Sequence, residues 1–105
     1  MITDEDLQLL KASARVDYDA EDDYLRSLLE TAEASVVRRT KRDRAELEDE
    51  ETGRLKAPEL RQAVCFLAKE WYENGGVSSP GSMNAPIYGV EYLVRPFIKL
   101  VDGDA

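Results

Sequence analysis

The segment from Pro58 to Asn74 constrains the fold more than any other part of the chain. It reads PELRQAVCFLAKEWYEN and is followed by Gly75-Gly76. A proline at the first helical position and a glycine just past the end are the signals that start and stop an α-helix. At about 100° per residue, one half of this helix carries most of its apolar side chains, namely Leu60, Ala63, Val64, Leu67, Ala68, Trp71 and Tyr72. We therefore expect this half to be buried under other helices.

One aromatic residue of the same helix breaks the pattern. Phe66 projects on the polar side, among Glu59, Gln62 and Glu73. Soluble proteins tolerate isolated exposed aromatic residues, but an aromatic side chain on a polar face is also typical of a subunit contact. The sequence leaves both interpretations of Phe66 open.

Length and composition predict one soluble domain over residues 1–105. The chain has no run of about 18 apolar residues, which a membrane span requires, and its N-terminus carries no basic, apolar export signal. We therefore expect no membrane association and a cytoplasm-like compartment. The net charge of -8 argues against a surface that binds nucleic acid, although DNA could pass such a protein without being bound.

The chain offers little for catalysis or for metal binding. It contains no histidine and a single cysteine, Cys65, so the usual triads and histidine-metal sites have no candidate. Carboxylates such as Glu70 and Glu73 are more simply interpreted as solvated surface groups. We predict that the chain is not an enzyme, with no catalytic residue, no cofactor-binding residue, no metal ligand and no cofactor.

The N-terminal half predicts two helices. Thr3 is a plausible N-cap for a first helix that runs to about Ala12 or Ser13. The stretch Asp17–Asp23 resembles the start of a calcium loop, but its sixth position is Asp22 instead of glycine and its twelfth is Leu28 instead of glutamate. The simpler interpretation is an N-cap at Asp17 or Asp19, followed by a second helix. That helix should bury Leu25, Leu28, Leu29, Ala32 and Val36.

Two segments are expected to add little to the core. Residues 41–57 carry 11 charged side chains among 17, which predicts either a frayed extension of the second helix or a solvated loop. Residues 75–86 are rich in glycine, serine and proline, which predicts a flexible loop. The basic cluster of Arg38, Arg39 and Arg42 suits the C-terminal end of the second helix. As a nucleic-acid patch it is weak, because it abuts an acidic run and lacks interleaved aromatic residues.

The C-terminal segment is apolar and aromatic. Val90, Leu93, Val94 and Phe97 recur at helical spacing and favour a short helix from about Gly89, kinked or broken at Pro96. A strand through Tyr88 or Val90 is the alternative. The predicted fold class is therefore all-α, a small bundle of about four helices whose core includes Leu25, Leu28, Leu29, Leu60, Val64, Leu67 and Trp71. The candidate residues for a subunit or partner interface are Phe66, Tyr88, Tyr92 and Phe97.

The order of these pieces resembles a known family. An acid-capped first helix leads through Arg-Val-Asp-x-Asp to the helix DDYLRSLLETA, then to a charged segment, the central helix, a loose loop and the segment YGVEYLVRPF. This order is similar to the small head-tail connector (adaptor) proteins of tailed bacteriophages, which are also labelled possible DNA-packaging proteins. The resemblance runs from about Thr3 to Phe97. Its most specific parts are the central helix ending in WYEN and the motif from Gly89 to Pro96.

The resemblance implies a structural protein of the virion neck, made in the cytoplasm of the bacterial host. Copies would form a ring of about a dozen chains between the portal and the head-closure or tail proteins, extending the DNA channel for genome retention and ejection. DNA would pass through without specific binding. The alternative is a small helical regulatory or adaptor module that binds a host protein through the face that carries Phe66.

Overall fold

A computed structural model describes residues 2–74 and 88–99, and this part of the chain is helical. Its elements are α1 (Asp4–Ala14), α2 (Asp22–Thr40), α3 (Arg44–Leu47), α4 (Pro58–Glu73), α5 (Tyr88–Val94) and a 3-10 turn (Arg95–Phe97). Within the described ranges the only β-type pairing is an isolated bridge between Glu48 and Leu55. The predicted all-α bundle is confirmed, with one short helix, α3, beyond the four expected. The predicted flexible loop of residues 75–86 lies outside the described residues.

Helix α4 lies at the centre of the bundle and packs against α2, α5 and α1. Pro58 occupies its first turn and Asn74 its C-cap. Its predicted apolar half is buried except for Tyr72, which is partly buried. The seven residues expected in the core, three of them on α2 and four on α4, are all buried: Leu25, Leu28, Leu29, Leu60, Val64, Leu67 and Trp71.

Helix α1 starts with a capping box. The backbone N–H of Asp6 donates to the Thr3 hydroxyl at 3.4 Å, and the Asp6 carboxylate accepts from the Thr3 backbone N–H at 2.9 Å. Two first-turn N–H groups that a helix leaves unpaired are thereby satisfied. The helix ends at Ala14, slightly later than expected, because Arg15 adopts the left-handed conformation with φ 59°.

The start of α2 differs from the prediction. The helix begins at Asp22 with Glu21 as its N-cap, and Glu21 makes no side-chain capping bond. The expected N-cap at Asp17 or Asp19 was therefore wrong. The physical reason is a competing partner, since the Lys11 ammonium donates to Asp19 at 2.7 Å and to Asp22 at 2.9 Å. The Asp19 carboxylate binds a cation instead of a helix N–H.

The charged middle segment is neither a frayed helix nor a solvated loop, so that prediction was also wrong. After α3, the chain reverses in a turn where Gly53 has φ 72° and its N–H donates to the Asp49 carbonyl at 2.8 Å. The Lys56 N–H then donates to the Leu47 carbonyl at 2.8 Å. This reversal directs Leu47 and Leu55, the segment's two leucines, into the core, where they are 6% and 2% exposed.

The C-terminal segment is a helix, and the strand alternative is wrong. Val90 and Val94 of α5 are fully buried, and α5 packs mainly on α4. The predicted break at Pro96 takes the form of the 3-10 turn. Two hydrogen bonds join the end of the segment to the end of α2: the Lys99 N–H donates to the Thr40 carbonyl at 2.7 Å, and Arg42 Nε donates to the Phe97 carbonyl at 2.7 Å.

Candidate interaction surfaces

A first group of exposed apolar side chains lies on α5, the 3-10 turn and the neighbouring face of α4. We define this C-terminal aromatic surface as Phe66, Tyr92, Leu93, Pro96 and Phe97. Tyr92 is 77% exposed and Phe66 is 43% exposed, whereas Leu93 and Phe97 are half-buried. The structure therefore places three of the four aromatic residues singled out from the sequence on α4, α5 and the 3-10 turn, which neighbour one another. The side chain of the fourth, Tyr88, lies outside the described part of the chain.

Helix α5 starts beside the Phe66 ring. A Cβ atom placed on Gly89 would lie 3.9 Å from Cδ2 and Cε2 of Phe66, which is ordinary van der Waals contact. Phe66 is thus partly covered by the chain's own helix while a substantial part of its ring faces solvent. The two interpretations of Phe66 from the sequence, scattered exposed aromatic or subunit contact, both remain consistent with this position.

Two grooves flank Pro96 on this surface. One, of about 240 Å³, runs between the 3-10 turn, α3 and the start of α4, and its lining includes Phe97, Leu47 and Leu60. The other, of about 290 Å³, is lined by Glu59, Tyr92, Leu93, Arg95 and Pro96. Both combine apolar walls with charged rims, a composition that suits a protein side chain as occupant.

The basic residues near this surface are partly used within the chain. Arg39 forms an ion pair with Glu91, and Arg42 pairs with Glu46 at 3.4 Å in addition to its bond to the Phe97 carbonyl. Two of the three arginines of the predicted basic cluster therefore have protein partners. The third, Arg38, is exposed and makes no ion pair among the described residues.

A second aromatic group lies at the opposite end of α2 and was not predicted from the sequence. We define this tyrosine surface as Tyr18, Tyr24 and Tyr72. The rings of Tyr24 and Tyr72 are 6.4 Å apart and inclined at 47°, a tilted arrangement that aromatic pairs favour. Tyr18 and Tyr24 are 48% and 43% exposed.

One carboxylate orders two of these tyrosines. Oε1 of Glu21 accepts from the Tyr18 hydroxyl at 2.6 Å and from the Tyr72 hydroxyl at 3.0 Å. The hydrogen bond to Glu21, and next the contact with Tyr72, raise the pKa of Tyr18 well above its usual range, because a phenolate beside a carboxylate is disfavoured. Tyr18 therefore stays protonated and oriented across the physiological range.

The signal for this surface was weak in the sequence. Tyr18 stands between Asp17 and Asp19, where no apolar neighbour suggests burial, and Tyr24 lies beside the buried leucines of α2 instead of among them. The partner that completes the cluster, Tyr72, is 54 residues away from Tyr18. Only the tertiary fold brings them together.

The acidic stretch that resembles a calcium loop is organised around a lysine. Lys11, whose side chain is 7% exposed, pairs with Asp19 and Asp22. These hydrogen bonds raise the pKa of Lys11 and lower the pKa of Asp19. In the two described ranges, no group of three acidic or cysteine side chains is arranged to hold a metal ion.

The remaining candidate reactive groups have structural partners. Glu70 accepts from the side-chain amide of Asn74 at 2.8 Å. Cys65 is buried, and burial raises the pKa of its thiol, which disfavours the nucleophilic thiolate. Its Sγ lies 3.8 Å from Oγ of Ser13. None of these contacts pairs a nucleophile with a base.

None of the helices in residues 2–74 and 88–99 combines the length and the apolar character needed to cross a membrane.

Three comparisons with known proteins address the family of the chain. A search of curated proteins and a search of solved structures each found no match. A family model described as phage gp6-like head-tail connector protein matches residues 4–95, from the start of α1 to the first residue of the 3-10 turn. The chain belongs to the family of phage gp6-like head-tail connector proteins.

Proposed function

We propose that copies of this chain form a ring in the virion neck, between the portal and the head-closure or tail proteins. The ring extends the DNA channel and serves genome retention and ejection. The observation that carries this proposal is the family match over residues 4–95, since membership makes the chain a structural connector of the phage particle. The ring, the channel and the named neighbours go beyond that match.

The distribution of exposed aromatic residues supports a ring. A closed ring of identical chains uses two different surfaces on each copy, which meet around the ring. The C-terminal aromatic surface lies on α5, the 3-10 turn and the middle of α4, whereas the tyrosine surface lies on the α1–α2 connection, the start of α2 and the end of α4. Exposed tyrosine and phenylalanine side chains are enriched in protein interfaces. The chain thus carries two surfaces of suitable chemistry, with Phe66, Tyr92 and Phe97 on one of them.

The charge of the chain supports a channel that does not hold DNA. The net charge is -8, and a negative surface repels the phosphate backbone. Two of the three clustered arginines are already bound to protein groups. DNA therefore passes through the ring without specific binding in this proposal.

The test is the molar mass in solution, measured by light scattering behind a sizing column, with and without the portal ring encoded by the same phage. The chain has a mass of 11.8 kDa, so a ring of about a dozen copies separates clearly from a monomer or dimer. A ring, or co-elution with the portal, is the expected result. A monomer that also does not co-elute with the portal contradicts the proposal. That result favours a helical module that binds one host protein through the Phe66 face.

A further inference from the structure

We infer that the two aromatic surfaces are the two halves of one contact between neighbouring copies. The tyrosine surface of one copy docks on the C-terminal aromatic surface of the next copy. This inference rests on the proposed ring and adds to it the residues that meet and the direction in which they meet. The occupant of each surface is thus a second copy of this chain.

The tyrosine surface is surrounded by negative charge. The stretch from Asp17 to Asp23 contains five carboxylates, and the nearby cations are Lys11, Arg15 and Arg26. Lys11 neutralises part of this charge through Asp19 and Asp22. Asp17 and Asp23 are exposed and make no ion pair within the described residues. The edge of the tyrosine surface is therefore acidic and available to a cation.

The C-terminal aromatic surface has cations at its edge. Arg95 and Lys56 are exposed, and no carboxylate pairs with them in the part of the chain that the structure describes. Lys56 lines the groove that holds Phe97. Of the carboxylates nearby, Glu91 pairs with Arg39 and Glu46 pairs with Arg42, whereas Glu59 shares a groove with Arg95 and makes no ion pair among the described residues. Arg95 lines one of the grooves beside Tyr92. Unpaired cations thus outnumber unpaired carboxylates in the two grooves, which is the opposite of the charge balance beside Tyr18 and Tyr24.

The two surfaces lie at opposite ends of α2, and this position favours a head-to-tail contact over a two-fold contact. The 19 residues of α2 span roughly 28 Å at 1.5 Å per residue, which separates the acidic end from the basic end. A two-fold dimer through either surface would place like charges together, which is unfavourable. A contact between unlike surfaces avoids this repulsion, and such heterologous contacts close into rings.

A charge-swap experiment tests the inference. One variant, Asp17→Lys with Asp23→Lys, makes the acidic edge basic, and a second, Lys56→Glu with Arg95→Glu, makes the basic edge acidic. Each variant alone has like charges on both surfaces, so we expect its self-association, measured by sedimentation velocity, to fall at least about tenfold. An equimolar mixture of the two variants restores unlike pairs, and so does one chain that carries all four substitutions. Both should regain association.

The control is Glu30→Lys with Glu51→Lys, which changes two exposed carboxylates away from both surfaces and should associate like the parent chain. Circular dichroism checks that every variant is folded. If a variant unfolds, the salt dependence of the parent chain serves instead, because salt screens exposed charges and should weaken association. A salt-independent association, or variants that associate like the parent or are not rescued by mixing, overturns this inference while the ring itself stands. A parent chain that associates neither alone nor on the portal overturns both.

Discussion

Arg44 donates to the carboxylate of Glu33 at 2.7 Å and thereby joins the charged middle segment to α2. The same guanidinium donates to Glu48 at 3.3 Å and to the Gly53 carbonyl at 3.2 Å. Glu33 is 7% exposed, and ion pairs of buried groups are screened much less than those of exposed groups. One side chain thus holds α3, the following turn and α2 together, and the segment can deliver its two leucines to the core.

Replacing Arg44 with methionine should destabilise the fold. Glu33 would keep its buried position but lose a charged donor, and hydrogen bonds to charged groups contribute about 1.5–3 kcal/mol. We expect a loss of that size in the free energy of unfolding, measured by urea denaturation. Arg38→Met, which changes an exposed arginine without an ion pair in the described residues, should alter stability by less than about 0.5 kcal/mol. Equal effects of the two substitutions would contradict the proposed role of Arg44.

Replacing Leu55 with alanine tests the corrected description of the middle segment. Leu55 is 2% exposed, and truncating a buried leucine costs about 2–5 kcal/mol through lost burial and the cavity left behind. A solvated loop would show almost no change. The matched control is Leu9→Ala, because Leu9 is 41% exposed and should cost much less. Thermal and urea unfolding of both variants give the comparison.

The parts of the fold that were predicted correctly are those in which local pattern and burial coincide. Pro58 and the spacing of Leu60, Val64, Leu67 and Trp71 define a helix and its buried face without reference to any other element. Leu47 and Leu55 could not be assigned in this way. Their burial requires a turn at Gly53 and ion pairs from Arg44 and Arg54 to other helices, and the sequence shows those residues only as charge.

The two candidate surfaces also differ in how far local sequence pattern predicts them. Tyr92 and Phe66 stand out because each is aromatic and lies on the polar side of its own helix. The tyrosine surface, in contrast, combines residues from the α1–α2 connection, from α2 and from α4, and they lie around Glu21. A contact spanning 51 residues, from Glu21 to Tyr72, leaves no periodic signal.

Acid should destabilise the fold partly through two carboxylates. Burial alone would raise the pKa of Asp6, but hydrogen bonds from Arg54 and Thr3 outweigh it, and the pKa lies below the ordinary 3.8. Hydrogen bonding to Lys11 lowers the pKa of Asp19. A carboxyl group with a lowered folded-state pKa adds stability that is present above pH 3.8 and lost as the pH falls through the folded value. We therefore expect the melting temperature to fall as the pH drops from about 5 to below 3.8.

The variant Asp6→Asn should remove part of this pH dependence, and so should Asp19→Asn. Glu50→Gln changes an exposed carboxylate that makes no ion pair among the described residues, and it should leave the pH profile as in the parent chain. The measurement is the melting temperature of each variant at a series of pH values. A profile of Asp6→Asn that matches the parent at every pH would refute the contribution assigned to Asp6.

Phe66→Glu should leave the monomer folded but weaken assembly. Phe66 is 43% exposed, so a charge at this position reaches solvent, yet it disrupts an apolar contact with a neighbouring copy. We expect association to fall at least about tenfold, as is typical for a central aromatic contact. Gln8→Glu places the same charge at an exposed position of α1, a helix that carries no residue of the C-terminal aromatic surface, and should associate normally. If Phe66→Glu unfolds, Phe66 belongs to the core and the interface interpretation fails.

The contacts within the tyrosine surface predict that Tyr18 ionises at a higher pH than an ordinary tyrosine. The hydrogen bond to Glu21 raises the pKa of Tyr18 above its ordinary value of 10.0, so phenolate absorbance should show one tyrosine that ionises late. Because the folded-state pKa is raised, the associated stability is fully present below pH 10 and is lost as the pH rises toward the folded value. Tyr18→Phe should remove the late-titrating group from the absorbance profile.

Glu21→Gln tests whether the charge of the Glu21 carboxylate, instead of the position of the Tyr18 ring, raises the pKa of Tyr18. Glutamine can still accept from the Tyr18 hydroxyl, but it carries no charge to oppose the phenolate. The late titration should therefore move back toward pH 10 in this variant while circular dichroism shows an unchanged helical fold. A late-titrating tyrosine that persists in Glu21→Gln would mean that burial or Tyr72, instead of the Glu21 carboxylate, controls Tyr18.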